Sequence, residues 1–302
     1  MLNRLTDIFL QPFQFHEKVE LFRKVLYIFL FFNTLILLPA AHDLFAYYGT
    51  VGTRGWNTEL SFFEQGSYGL LNLLSHPINA RFEWLYILFI GGQLVALVLG
   101  FFNKMPRLMS FAVYFFTVNL FSKGYLAFTG GEVLINFMLF YLMFIHPSRQ
   151  KEGLGSDLQP IVNHVFFRIM LVQVCLLYFF SVLYKLLDEN WVSGEAIMYV
   201  SRFDAYSTSW MQSALENNTI LSVILTYTTL TYQALFPIVV WFKKMKKPFL
   251  MFGVVFHLGI AVGMGIFTFG IVMILVYLLF IDQESVNKIA RKLRLERFIE
   301  SV

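Results

Sequence analysis

Hydrophobic residues along this chain come in long blocks rather than in alternation. The blocks predict helices that cross a membrane: Val25–Phe45, Trp84–Phe102, Leu108–Leu126, Glu132–Ile145, Val162–Leu187, Ile220–Trp241, Phe249–Gly263 and Phe267–Phe280. Crossing about 30 Å of hydrocarbon takes roughly 20 helical residues at ~1.5 Å each. The fourth, seventh and eighth blocks are shorter than that. The last two are separated only by Met264–Ile266, with no polar residue to mark a turn. They read either as two helices, giving eight spans, or as one bent helix, giving seven.

The positions of the cations favour eight spans with both termini in the cytoplasm. On that topology one side collects Arg4, Lys18, Arg23 and Lys24, then Lys104 and Arg107, then Arg149, Lys151 and Arg168. It also collects the four lysines of residues 243–247 and the five cations of the tail, from Lys288 to Arg297. The other side carries Arg54, Arg81, Lys123, Lys185 and Arg202. The 23 cations divide eighteen to five, the asymmetry expected of cytoplasmic loops. Seven spans would export the basic tail.

Composition agrees. Of 302 residues 58% are hydrophobic and 14% charged, and the mean hydropathy is +0.64. Soluble domains carry about 25% charge, so soluble, disordered and nucleic-acid-binding classes are excluded. The net charge of +4 belongs to the loops. A single cysteine, Cys175, excludes an internal disulfide and a cysteine-based metal site; no metal is expected.

The organisation expected is an all-α bundle over residues 25–282. Residues 1–24 read as an N-terminal amphipathic cytoplasmic segment, with Phe9, Leu10, Phe13, Phe15 and Leu21 beside Lys18 and Arg23. Residues 283–302 read as a basic amphipathic tail, either lying on the membrane or solvated. The first apolar block follows a 24-residue polar-amphipathic stretch without a small-residue cleavage site, so no signal peptide is expected. Residues 46–83 and 188–219 are too long for simple turns and predict loops with structure or function of their own.

Ionisable and polar groups within apolar blocks are the candidates for chemistry. Tyr178, Ser181, Lys185 and Asp188 recur at helical spacing and share one stripe. An amine held in an apolar site has its charged form disfavoured and can serve as a base. Equally, Lys185 can snorkel to the interface and pair with Asp188, and spacing alone favours that. The segment Ser122–Glu132, with Lys123, Tyr125, Gly130 and Gly131, is either broken backbone lining a cavity or an ordinary turn. In the turn reading, Glu132 complements the dipole of the next helix. His257 is either a pocket residue or a neutral core histidine bonded to a neighbouring helix. The stripe from Tyr227 to Gln233, before Pro237, is explained by interhelical hydrogen bonds. Nucleotide-binding, zinc-protease and serine-hydrolase motifs are not found.

The order of these pieces resembles the horizontally transferred transmembrane (HTTM) family, whose relatives include the vitamin K-dependent γ-carboxylases. The resemblance covers about residues 17–282. It is carried by Tyr178-Phe-x-x-x-x-x-Lys185-Leu, Asp188-Glu-Asn-Trp191-Val-x-Gly194, the Gly130-Gly131-Glu132 turn, and Phe256-His257-Leu258 followed by Gly265-x-Phe267. It implies an integral-membrane enzyme in which Lys185 deprotonates a quinol or other lipid-soluble substrate. Lys123 and His257 join Lys185 as catalytic candidates. Tyr178, Ser181, Tyr184, Asp188, Trp191, Tyr125, Glu132 and Gln233 are the candidates for binding. Two positions depart from the family pattern: Lys123 stands near a histidine of the carboxylases, and Gln233 stands near where HTTM sequences often carry an acid. The large lumenal domain of the carboxylases has no counterpart in the short loops here, so carboxylation of a protein substrate is not expected. The cofactor implied is a quinone or quinol. The partners implied are membrane lipids and a lipid-soluble small molecule, with no nucleic acid, and the location is a bacterial inner membrane. The rival function is a non-catalytic membrane binding or scaffold protein that partners a separate periplasmic protein. A transporter is a third reading, weakened by the lack of repeat symmetry.

Overall fold

A computed structural model describes residues 13–46, 49, 70–71, 84–124, 127–146, 158–216 and 218–296. Among them every regular element is helical. Four helical stretches are long and apolar enough to cross a membrane: His16–Phe45, Leu158–Leu186, Thr219–Val239 and Lys243–Gly263. Leu85–Phe101, Gly130–Phe144 and Phe267–Leu279 are apolar but shorter. The chain divides into two compact units, Met1–Phe167 with Asn287–Val302, and Arg168–Val286.

In the first unit α1 (His16–Leu37) continues through a 3₁₀ turn into α2 (Ala41–Phe45). It packs on α3 (Leu85–Phe101), which packs on α4 (Pro106–Lys123), which packs on α5 (Gly130–Phe144). α5 starts where the sequence supplies a capping box. Thr129 Oγ1 accepts from Gly131 N at 3.3 Å, and Glu132 Oε2 accepts from Thr129 N at 2.8 Å. A polar ladder joins α1, α3 and α4: Thr34 Oγ1 donates to Gln93 Oε1 at 3.0 Å, and Gln93 Nε2 donates to Thr117 Oγ1 at 2.8 Å. With no water in hydrocarbon, such groups must find partners on neighbouring helices.

The expected amphipathic segment before residue 25 is, from His16 onward, the start of α1 itself, and Lys18, Glu20, Arg23 and Lys24 there are buried. Arg23 Nε donates to Glu20 Oε1 at 2.9 Å, and Arg23 NH1 donates to Ser110 Oγ at 2.6 Å. Its NH2 group donates to Ile145 O at 2.6 Å, just past the end of α5. Lys24 Nζ donates to Phe101 O at 2.6 Å and to Asn103 Oδ1. Two cations therefore take the orphan carbonyls at the C-termini of α3 and α5, where the helix dipole favours positive charge. The same contacts align the start of α1 with the end of α3, the start of α4 and the end of α5.

α6 (Leu158–Leu186) runs from the first unit into the second. The second unit continues with α7 (Glu189–Ser193), α8 (Ala196–Ser201), α9 (Ser209–Glu216), α10 (Thr219–Val239), α11 (Lys243–Gly263) and α12 (Phe267–Val276), which ends in a 3₁₀ turn, Tyr277–Leu279. The long segment 188–219 is thus a row of short helices, and polar side chains of α10 hold it. Tyr227 Oη donates to Val192 O at 2.7 Å, Ser222 Oγ accepts from Met198 N at 3.1 Å, and Thr226 Oγ1 accepts from Ile197 N at 3.3 Å.

α11 and α12 are two helices rather than one bent one. Gly265 turns the chain at φ +69°, a conformation open to glycine. α12 then folds back along α11, so closely that a Cβ on Gly270 would lie 2.6 Å from His257 O. The tail helix α13 (Gln283–Lys292) buries Val286 and Ala290, one turn apart on one side.

Candidate functional site

The polar stripe of α6 lies in the second unit, and each of its members meets a partner. Lys185 Nζ donates to Ser181 Oγ at 2.7 Å, and Ser181 Oγ donates to Gln233 Oε1 of α10 at 3.2 Å. The same ammonium or amine nitrogen lies 5.0 Å from the centre of the Trp191 ring, within cation–π range. Lys185 and Asp188 form no ion pair. Asp188 is exposed and caps α7, its Oδ1 accepting from Asn190 N at 2.8 Å. The Asp188 pair expected of a snorkelling Lys185 is not formed; its nitrogen meets the Ser181 hydroxyl and the Trp191 ring instead.

Two turns earlier on the same stripe, Tyr178 sits 1% exposed at the centre of a buried hydrogen-bond cluster. Its Oη is 2.7 Å from His257 Nε2 of α11 and 2.6 Å from Tyr277 Oη after α12. Tyr277 Oη is in turn 2.8 Å from Tyr232 Oη of α10. The Tyr178 ring stacks on Phe236, with centroids 3.9 Å apart. One cluster therefore joins α6, α10, α11 and the end of α12. Gly253 makes the approach possible: a Cβ there would overlap Tyr232 Oη and lie 2.8 Å from Tyr277 Oη. His257 Nδ1 is buried with no hydrogen-bond partner among the described residues.

Neutral phenols and an imidazole linked at 2.6–2.8 Å can hold a proton at several alternative atoms. The Lys185–Ser181–Gln233 chain presents an amine and orients it from two helices. An amine, a serine hydroxyl and an indole face are the groups this arrangement offers to a ligand.

The remaining candidates lie elsewhere. Tyr184, on the flank of the stripe, is 72% exposed. Lys123 ends α4 and is buried, and Glu132 is committed to the cap of α5; both belong to the first unit. Tyr125 lies outside the described residues. Among the described residues no group of acidic, histidine and cysteine side chains is arranged to hold a metal ion. Sequence reasoning passed over Tyr277 and read Tyr232 only as one of a polar run. The available signal was chemical: a phenol in an apolar helix needs a partner, and a glycine on the facing helix makes room for one.

No family model matches the chain, and no solved structure matches it. Over 241 residues it is 27% identical to a protein of Bacillus subtilis (strain 168) bearing the name "Uncharacterized protein YitO", an alignment covering 74% of this chain and 72% of that one.

Proposed function

We propose that the chain is an HTTM-like integral-membrane enzyme in which Lys185 is the base for a quinol or another lipid-soluble acid. The observation that carries this reading is the neutral company of Lys185. Its nitrogen bonds to a serine hydroxyl, while the nearest acid in sequence, Asp188, is spent on a helix cap. A base must spend time uncharged, and a bound carboxylate would oppose that. A quinol, when bound, supplies an acidic hydroxyl and two electrons. The Nζ lone pair of Lys185 takes the hydroxyl proton while Ser181, held by Gln233, keeps the amine oriented. Trp191 covers the amine, and the Tyr178–His257 pair fixes the helices behind it.

We propose eight spans, both termini in the cytoplasm and insertion in a bacterial inner membrane. The cation division supports this, as does the fold-back of α12 on α11, which favours two spans over one bent helix. A cysteine at 291 should be protected from membrane-impermeant reagents in intact cells, and one at 57 should react.

The test of function is quinol-dependent oxygen uptake by the purified protein in nanodiscs, wild type against Lys185→Met. A positioned base contributes ~10²–10⁴-fold, so a loss of that order with unchanged elution and thermal stability is expected. Equal uptake by the variant refutes the base. Uptake absent from the wild type, with a periplasmic protein co-purifying, is the result the scaffold reading expects.

A further inference from the structure

A second feature of the Arg168–Val286 unit is independent of Lys185. A cavity of about 280 Å³ opens between α10 and α11, with α8 and α9 closing it. None of Tyr178, Ser181, Lys185, Gln233 or His257 lines it. Its walls include Met211, Leu215, Leu225, Phe252, Phe256 and Ile260. The wall made by α9 is fastened: Thr208, just before it, donates from N at 3.0 Å and from Oγ1 at 2.7 Å to Gly263 O at the end of α11.

Water is a poor occupant. The space holds several waters, each needing two to four polar partners. The lining is almost wholly apolar, and two of its hydroxyls are committed: Ser201 Oγ donates to Met198 O at 2.8 Å and Thr229 Oγ1 to Leu225 O at 2.8 Å. The floor is deeply buried, with Leu215 at 0% exposure, whereas Val255 at the rim is 68% exposed. α10 and α11 are two of the helices apolar enough to cross a membrane, so that rim faces lipid. The recess is too small for a whole phospholipid. It suits the end of one chain, entering sideways while the polar head stays outside.

We propose that this cavity binds a single hydrocarbon chain, either the acyl chain of a membrane lipid or the isoprenoid tail of a lipid-soluble quinone. Gly259 on its wall provides the means to test this, because a Cβ there would meet nothing within 4 Å. Gly91 on α3 is equally open and lines no part of the cavity.

The experiment uses the full chain in nanodiscs with two photoactivatable probes, each titrated over a range of lipid mole fractions. One is phosphatidylglycerol with a diazirine near the end of a palmitoyl chain; the other is a naphthoquinone with a diazirine on a geranylgeranyl tail. Crosslinks are mapped by peptide mass spectrometry at Phe252, Phe256 and Met211, with lipid-exposed Val95 of α3 as reference. At least one probe should label the cavity saturably, while Val95 labelling grows in proportion to probe. Gly259→Phe should lower cavity labelling at least about tenfold, equivalent to ~1.4 kcal/mol of binding, and Gly91→Phe should not. Saturation by the acyl probe alone or the isoprenoid probe alone identifies the source of the chain. Cavity labelling that tracks Val95 with both probes overturns the proposal, and this holds even if Gly259→Phe does not fold. Unchanged saturable labelling in a folded Gly259→Phe also overturns it.

Discussion

The hydroxyl of Tyr178 is the junction of the buried cluster, and Tyr178→Phe removes it without disturbing the ring stacked on Phe236. Two interhelical hydrogen bonds disappear, to His257 Nε2 and to Tyr277 Oη. Measured interhelical bonds in membranes average ~0.6 kcal/mol and reach ~1.7, so the pair is worth ~1–3 kcal/mol. The upper end is expected, because His257 already has one unpartnered nitrogen and would then have two, and an unsatisfied buried polar group costs ~1–3 kcal/mol. Tyr232→Phe is the matched control. It deletes one bond, at 2.8 Å to Tyr277 Oη, and Tyr277 keeps its bond to Tyr178. Its cost should be ~0.6–1.7 kcal/mol. Reversible unfolding in mixed micelles, followed by tryptophan fluorescence, measures both variants. The order Tyr178→Phe above Tyr232→Phe follows from the connectivity alone. Equal or inverted costs would refute the cluster as drawn.

Gly253→Ala should destabilise by displacing Tyr232 and Tyr277, whereas Gly259→Ala, with open space around it, should be neutral or gain up to ~1 kcal/mol of helix propensity; the same micelle titration separates them. Asp188→Ala should cost ~0.5–2 kcal/mol as a lost N-cap and Asp188→Asn almost nothing; equal quinol-dependent oxygen uptake in the Asn variant and wild type would identify the residue as a cap rather than a regulator of Lys185. The Asp282 carboxyl, accepting from Ser285 N at 2.8 Å at the start of α13, is held below the usual carboxylate range by that bond. A depressed carboxylate stabilises at neutral pH and loses that contribution as pH falls through its folded value. Limited proteolysis should therefore cut within α13 faster at pH 3 than at pH 7, and Asp282→Asn should remove the difference.

Hydropathy revealed the helical runs because membrane helices announce themselves by length. The sixth block and α10 differ by one or two residues at each end. The seventh block began six residues late, because Lys243–Lys247 lower hydropathy while remaining good helix formers. The start of α5 was legible in part: Glu132 was read as a partner of the helix dipole, whereas the Thr129 half of the capping box was passed over. The Tyr178 cluster was not: its partners are 79 and 99 positions away, and no local period encodes such pairs. Burial of Arg23 and Lys24 was missed for a related reason. Counting charges sorts cations by side of the membrane and does not show that helix-end carbonyls receive them.

A ribosome delivers Arg23 and Lys24 long before their acceptors. Lys24 meets Phe101 O, 77 positions later, and Arg23 meets Ile145 O, 122 positions later. At ~5–20 residues per second the longer wait is ~6–24 s. Until then these cations have Glu20 of their own helix, water and lipid headgroups for company, so the emerging helix stays anchored by its charged turn while its apolar part enters the bilayer. Only when the last turns of α3 and α5 arrive can that turn leave water. Orientation of the first helix is therefore decided twice during biogenesis, first by where its charges are tolerated and then by whether two later helix ends come down on the same side to receive them.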